Sequence, residues 1–290
     1  MTSATERYET RFATLADGGQ LAYQVHGQAH RELPVLLVRP LGGSMALWGA
    51  FRQTLAEQRC VLSFDHRGSG LSSDDPGWPT TRSLAADSLA LLNHLDVARA
   101  HVFGISLGGM TATWLAINEP ARVATLCLAS TPLRGVDVSR AGLRRGLGMA
   151  ACLAKPDVDV EAALVERVLS GTFRRERPDE VRRIEATVRE HPASRMSLLK
   201  HARAGASHDA SHEIGRIRAP TLVLAGNHDA LLGTSPSRAV ASAIGGARFE
   251  IIAPSGHDLT LEQPLVTATR VAQFFQTDGD ALLIRRRSPG

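Results

Sequence analysis

The chain has no long apolar segment. No run in its 290 residues approaches the roughly 18 consecutive apolar residues that a membrane-spanning helix requires. The first eleven residues also lack the basic and then apolar pattern of a secretory leader. The sequence therefore predicts a cytoplasmic protein that does not cross a membrane.

Cysteine, lysine and aromatic residues are scarce. The three cysteines, Cys60, Cys127 and Cys152, have no motif spacing, which indicates reduced and mostly buried thiols. The net charge of +4 comes almost wholly from arginine, because lysine occurs only at Lys155 and Lys200. Aromatic residues make up 4% of the chain and no recognition motif is present, so the basic composition does not indicate a nucleic-acid partner.

One serine lies between two glycines, in the sequence GISLG at residues 104–108. An apolar run that predicts a strand precedes it and a helical pattern follows, which is typical of a nucleophile elbow. The sharp turn needs small neighbours, since a Cβ two positions away on either side would obstruct the crowded backbone. The turn exposes the Ser106 hydroxyl. It also directs the Leu107 N–H at the oxygen that becomes negative when Ser106 attacks a carbonyl.

An aspartate and a histidine follow the serine along the chain, each after an apolar run that predicts a strand. All three side chains then lie at the carboxyl ends of strands, the edge where open α/β sheets place their active sites. We predict Ser106 as nucleophile, His257 as general base and then acid, and Asp229 as the carboxylate that fixes the His257 tautomer. Asp258, adjacent to the histidine, is the alternative acid.

Apolar runs alternate with helical patterns, which predicts an α/β fold. From the third strand on, the alternation implies right-handed crossovers and a mostly parallel sheet with helices on both faces. The segment between the sixth and seventh strands has only helical periodicity. We predict a core of residues 1–133 and 217–290 and a helical lid of residues 134–216. The eight predicted strands are residues 10–15, 20–25, 35–38, 60–64, 101–104, 123–129, 221–225 and 249–252, and the predicted core helices are residues 46–57, 81–95, 107–117, 236–244 and 265–274.

Several segments resemble the α/β-hydrolase superfamily. They are FDHRGSGLS at residues 64–72, GISLGGM at 104–110, EPARV at 119–123, and GH at 256–257 with LEQP at 261–264. Within that superfamily the chain is most similar to β-ketoadipate enol-lactonase and related bacterial lactonases, esterases and haloperoxidase-like enzymes. The resemblance covers about residues 19–275 and implies an α/β-hydrolase fold with eight strands and a lid between the sixth and seventh.

One position departs from the pattern of these relatives. Most of them carry a His-Gly pair after the third strand, and enol-lactonases usually have small polar residues before Leu-Gly, whereas this chain has Arg39 and Pro40 before Leu41. Pro40 has no N–H, so we expect the N–H groups of Leu41 and Leu107 to form the oxyanion hole. Arg39 either pairs with an anionic group of the substrate or forms an ion pair with a nearby acid.

Two further residues are candidates for substrate binding. Trp48 and Met110 either flank the mouth of the pocket or pack under the elbow. No metal is predicted, because His208 and His212 are spaced for a helix face but lack a third ligand at a known spacing.

The sequence predicts hydrolysis of a small carboxylic ester or lactone through an acyl-serine intermediate, without a cofactor. The expected partner is that small-molecule substrate, and the sequence gives no oligomeric state. Two alternatives remain open. Hydrolysis of a C–C bond in a vinylogous diketone uses the same triad, and a non-hydrolytic biosynthetic catalyst or a ligand-binding protein keeps the fold without this turnover.

Overall fold

The computed structural model describes residues 8–28, 32–135 and 159–280 of the chain. Within them, eight strands form one sheet in the order β1-β2-β4-β3-β5-β6-β7-β8. β2 pairs antiparallel with β1 and β4, and every other pair is parallel, which confirms the predicted mostly parallel sheet. The strands are β1 Arg11–Thr14, β2 Gln20–His26, β3 Val35–Val38, β4 Val61–Phe64, β5 Ala100–Ile105, β6 Val123–Ala129, β7 Thr221–Gly226 and β8 Arg248–Ile252.

The central strands are buried on both faces. Every residue of β3, β4, β5, β6 and β7 is buried, as expected for parallel strands covered by helices on both sides. Alternate side chains enter opposite clusters, since Val35 and Leu37 pack on one face and Leu36 and Val38 on the other. The edge strands β1 and β8 retain exposed positions. The core therefore consists of two apolar layers divided by the sheet.

Ten α-helices occur in the described ranges, and two of them differ from the sequence-based expectation. The helix predicted over residues 46–57 begins instead as a 3₁₀ turn, Met45–Trp48, because Gly49 has φ 39°, outside the helical range, and separates that turn from the α-helix. A four-residue helix after His257 was not predicted. The helices are α1 Gly49–Ala56, α2 Thr81–His94, α3 Leu107–Asn118, α4 Val160–Val168, α5 Gly171–Glu176, α6 Pro178–Glu190, α7 Arg195–Ala206, α8 Ser235–Ala243, α9 Leu259–Glu262 and α10 Pro264–Phe274.

Four helices, α4 to α7, lie between β6 and β7 in the chain. They fall in the segment predicted as a lid, of which residues 136–158 lie outside the described residues. α6 buries none of its residues, and Asp179 and Glu180 occupy its first turn. Its surface carries ion pairs at helical spacing, among them Arg182 with Asp179 and Arg189 with Glu185. We call α4 to α7 the insertion helices.

The two described cysteines are unpaired. Cys127 is buried in β6 and Cys60 is half-buried just before β4, and burial raises the pKa of both thiols. Cys152 lies outside the described residues. No helix in the described part of the chain is long and apolar enough to span a membrane.

Candidate active site

Ser106 occupies the turn between β5 and α3. Its backbone has φ 55° and ψ −118°, a conformation that favours glycine and is strained for serine. A Cβ on Gly104 would lie 2.3 Å from the Gly108 carbonyl oxygen, and one on Gly108 would lie 2.1 Å from the Val38 carbonyl oxygen. Both glycines are therefore required, because the start of α3 packs directly against the end of β3.

The loops after β7 and β8 are joined by direct contacts. A Cβ on Gly226 would lie 1.9 Å from the Gly256 carbonyl oxygen, and the Ser255 N–H donates to the Asn227 side chain at 3.0 Å. These loops carry Asp229 and His257. The elbow after β5 carries Ser106. All three predicted triad residues therefore lie beyond the carboxyl ends of parallel strands of one sheet.

His257 is buried and hydrogen-bonded through one ring nitrogen. Its Nδ1 donates to Asp229 Oδ2 at 2.9 Å, which leaves the unprotonated Nε2 as the basic atom when the ring is neutral. Nε2 is buried and has no hydrogen-bond partner among the described residues. The other Asp229 oxygen, Oδ1, accepts from the N–H groups of Leu231 at 2.9 Å and Leu232 at 2.8 Å. The aspartate is thus fixed by its own loop and orients the ring.

Burial and charge act in opposite directions on this pair. Burial disfavours the Asp229 carboxylate, but the attraction and hydrogen bond of His257, with the two loop N–H groups, hold its pKa below the usual value. Burial likewise disfavours the imidazolium. The charge of Asp229, its hydrogen bond and the charge of Asp258 outweigh that effect and raise the pKa of His257. The arrangement suits a base that takes up a proton during reaction.

The loop after β3 forms a tight turn at residues 40–43. The Gly43 N–H donates to the Pro40 carbonyl at 3.2 Å, and Gly42 has φ 70°, as the third position of a type II turn requires. His66 Nε2 donates to the Arg39 carbonyl at 3.2 Å, and burial lowers the pKa of His66 to about 3, so this donor is neutral. The residue that precedes the turn is therefore held by a hydrogen bond from the loop after β4.

Leu41 and Leu107 lie together in one apolar cluster with Leu84 and Met110. Met110 is 7% exposed, and Leu41 also contacts a second cluster formed by the insertion helices. The turn and the start of α3 are therefore adjacent. The assignment of the Leu41 and Leu107 N–H groups as oxyanion donors stays a prediction.

Comparison with known proteins agrees with this geometry. The family model described as alpha/beta hydrolase fold matches residues 34–264. The chain belongs to the α/β-hydrolase fold family. The 3-oxoadipate enol-lactonase 2 of Acinetobacter baylyi is 28% identical over 249 residues, which cover 84% of this chain and 88% of that protein.

Two solved structures extend the comparison. A hydrolase from Pseudomonas aeruginosa superposes with a TM-score of 0.82 at 30% identity, covering 92% of this chain and 98% of that one. A thermophilic esterase from Thermogutta terrifontis gives a TM-score of 0.80 at 26% identity, covering 93% of this chain and 99% of that one. The likeness therefore spans nearly the whole of both chains.

In this α/β hydrolase Arg39 makes a buried ion pair. Its Nη2 lies 3.0 Å from Asp258 Oδ2, and both side chains are 1% exposed. The guanidinium carbon is 4.5 Å from the ring centroid of Trp48. Burial lowers the pKa of Arg39 and the charge of Asp258 opposes that shift. Of the two alternatives for Arg39, the ion pair describes the contact observed.

Trp48 is fully buried in the hydrolase core. Its ring centroid lies 5.6 Å from that of Phe51 and 5.8 Å from that of Phe103, on one face of the sheet. This is the packing alternative rather than the pocket mouth. Substrate contact by Met110 or by Arg39 stays a prediction.

Sequence reasoning missed the contacts that hold the loop after β8. We call it the base loop because it carries the candidate base His257. Asp258 stood out only as a second acid beside His257, and no sequence signal identified Arg39 as its partner. Val168 gave no signal at all, because it acts through its carbonyl oxygen, which accepts from the N–H groups of both His257 and Asp258 at 3.0 Å. Glu262 could have been singled out, since it is an acid in the quoted LEQP segment.

Proposed function

We propose that this α/β hydrolase cleaves a small carboxylic ester or lactone through an acyl-serine intermediate. The observation that carries the proposal is the state of His257, whose Nδ1 is committed to Asp229 at 2.9 Å while Nε2 is buried without a partner. A basic nitrogen held in that way is what activation of a serine hydroxyl requires. The enol-lactonase and esterase among the relatives support the choice of ester and lactone bonds.

The reaction begins when Ser106 Oγ attacks the carbonyl carbon and its proton passes to His257 Nε2. The carbonyl oxygen becomes negative in the tetrahedral intermediate and accepts hydrogen bonds from the N–H groups of Leu41 and Leu107. When the intermediate collapses, the C–O bond to the leaving alkoxide breaks and the alkoxide takes the proton from His257. In a lactone that alkoxide remains attached to the acyl chain.

Water then completes the turnover. His257 accepts a proton from water as its oxygen attacks the acyl-serine, and when the second tetrahedral intermediate collapses, the bond to Ser106 Oγ breaks and Oγ takes the proton from His257 as the acid is released. Asp229 supports both half-reactions, because it fixes the tautomer of His257 and stabilises the imidazolium that forms in each. No cofactor enters any of these steps.

The insertion helices serve as a lid in this proposal. Leu164 and Leu198 belong to an apolar cluster that includes Leu41 of the oxyanion turn. The contact is close, since a Cβ on Gly42 would lie 2.6 Å from Leu198 Cδ2. An apolar cover over the turn favours a small substrate that is largely enclosed during reaction.

Turnover by Ser106→Ala tests the proposal. With p-nitrophenyl acetate we expect a loss of kcat on the order of 10³-fold or more, a similar loss for His257→Ala, and little further loss in the double variant. A serine-directed phosphonate should label the wild type and not Ser106→Ala. Ser242→Ala, a change at an exposed serine of α8, is the matched control and should retain activity and labelling.

Near-normal activity of Ser106→Ala on the substrate that the wild type turns over best would refute the acyl-serine mechanism. A panel of lactones, esters and vinylogous diketones separates the alternatives. Preferential turnover of the diketones would favour C–C hydrolysis. Tight binding without turnover of any of them would favour a ligand-binding or non-hydrolytic protein.

A further inference from the structure

The backbone of the candidate base is held from the side of the insertion helices. The N–H groups of His257 and Asp258 both donate to the carbonyl oxygen of Val168, each at 3.0 Å. Val168 is the last residue of α4. We call residues 168–170 the stem, because they lead from α4 into α5. The loop that carries the base is thus bonded directly to the insertion.

Glu262 forms a second connection at the same place. Its Oε1 accepts from the Ser170 N–H at 2.5 Å, and its Oε2 accepts from the Ser170 hydroxyl at 2.8 Å. Burial raises the pKa of Glu262, and its contacts with Ser170 and with the Gly256 backbone oppose that shift. Glu262 is 7% exposed, so a buried carboxylate joins the stem to the residue that precedes His257.

Gly256 allows the base loop and the stem to approach each other closely. A Cβ at that position would lie 2.5 Å from Glu262 Oε1 and 2.6 Å from the Ser170 nitrogen. Leu261 contributes an apolar contact, since it packs against the cluster formed by Val165, Leu169 and Phe173 of the insertion. The carboxylate, the glycine and the leucine all act between the same two segments.

The contacts around α9 anchor it at both ends. At its N-terminal end Asp258 pairs with Arg39, the residue before the turn at 40–43, and at its C-terminal end Glu262 bonds to the stem. Asp229 fixes the rotation of the His257 ring, but it does not fix the position of the His257 backbone. The stem contacts supply that second restraint.

We propose that Glu262 is a positioning residue for His257, holding the base loop against the stem through Ser170 and Gly256. This inference rests on the proposed role of His257 as the base. Without the carboxylate, the base loop separates from the stem and Nε2 loses the position from which it would take the Ser106 proton in the proposed reaction. The bond between Nδ1 and Asp229 lengthens at the same time. In this proposal Glu262 acts through His257 and not on the substrate, so binding should change little.

Two variants test the proposal in the full chain with p-nitrophenyl acetate. For Glu262→Ala we expect kcat to fall on the order of 10-fold to 100-fold, the cost typical of a misplaced catalytic group, with KM within about twofold. The acid limb of the kcat profile should move to lower pH, because weaker contact with Asp229 lowers the pKa of His257. Glu262→Gln, which keeps one acceptor, should recover part of the loss.

Ser170→Ala and Thr80→Ala form a matched pair. Each removes the N-cap side chain of a helix, Ser170 from α5 and Thr80 from α2, so each should lower the melting temperature. Only Ser170 also contacts Glu262. We expect Ser170→Ala to lower kcat and to shift the acid limb, and Thr80→Ala to do neither.

Unchanged kcat and pH profile in Glu262→Ala or Glu262→Gln would overturn the positioning role. So would equal losses of kcat in Ser170→Ala and Thr80→Ala, because these would reflect general destabilisation. If Glu262→Ala does not fold, the kcat and pH profiles of Glu262→Gln and Ser170→Ala decide whether Glu262 positions His257. Failure of the proposed function is recognised separately, since the wild type would then not be labelled by the serine-directed phosphonate.

Discussion

The two loops that support His257 carry one carboxylate each, and they use it differently. In the loop after β7, Asp229 directs one oxygen at the His257 ring and satisfies the other with two N–H groups of its own loop. In the loop after β8, Asp258 directs one oxygen at Arg39 and the other at Thr260, whose hydroxyl donates at 2.6 Å and whose N–H donates at 3.2 Å.

The difference lies in what each carboxylate has as its main partner. Asp229 faces a group that gains and loses a proton, so its charge can stabilise an imidazolium during reaction. Asp258 faces a guanidinium, which stays charged throughout. It therefore affects His257 only through the distance-dependent attraction that helps to raise the pKa of the ring. The acid that is adjacent to a histidine in the sequence is therefore not always the acid that accepts a hydrogen bond from its ring.

Asp229→Asn should have the largest effect on turnover. The amide keeps the shape of the hydrogen bond but favours the wrong tautomer of His257, so kcat should fall by about 10²- to 10⁴-fold. In the proposed mechanism His257 acts as a base only when it is unprotonated, and the charge of Asp229 raises its pKa. Removing that charge should move the acid limb of the kcat profile to lower pH, as a pH series on p-nitrophenyl acetate will measure.

Asp258→Asn is the matched change at the other carboxylate. We expect kcat to fall by no more than about tenfold, with a smaller shift of the acid limb in the same direction. The free energy of unfolding should change in the opposite order, with the larger loss in Asp258→Asn. In that variant the buried Arg39 has no counter-charge, at a cost of about 3 kcal/mol. Thermal unfolding of both variants checks this. A harmless Asp229→Asn beside a damaging Asp258→Asn would exchange the two roles.

Arg39→Met should leave the preference between neutral and acidic esters almost unchanged. Because the guanidinium is paired with Asp258, we expect kcat/KM for neutral and for acidic esters to fall by the same factor, within about twofold, together with a lower melting temperature. Arg39→Lys keeps the charge and should recover part of the stability. A selective rise of KM for acidic esters would instead establish the anion-binding alternative for Arg39.

The parts of the site predicted from sequence are those with local signals. Ser106 could be recognised because its glycines are required by a turn that forms wherever such a strand meets such a helix. The predicted positions of Asp229 and His257 followed from the order of acid and base after predicted strands, which fixes the sheet edge before any contact is known. The five central strands, β3 to β7, were predictable because buried parallel strands are continuous apolar runs.

The remaining contacts depend on segments that are far apart in the chain. Arg39 and Asp258 are 219 residues apart, and Ser170 and Glu262 are 92 apart, so neither pairing has a periodicity or spacing to reveal it. Val168 participates through its backbone, which every residue shares. The 3₁₀ turn at Met45–Trp48 was missed because a glycine such as Gly49 is compatible with a helical pattern, and its positive φ is visible only in the structure.

The exposed surface of α6 has a consequence for how salt acts on the molecule. Its ion pairs lie in water, where charges separated by more than about 10 Å are screened at roughly 0.1 M ionic strength and even close pairs weaken. The pairs at Asp229 and Asp258 are buried and are screened far less. The response to ionic strength therefore distinguishes the exposed ion pairs of α6 from the buried pairs at Asp229 and Asp258. Added electrolyte weakens the ion pairs on α6 and changes the electrostatics around His257 far less.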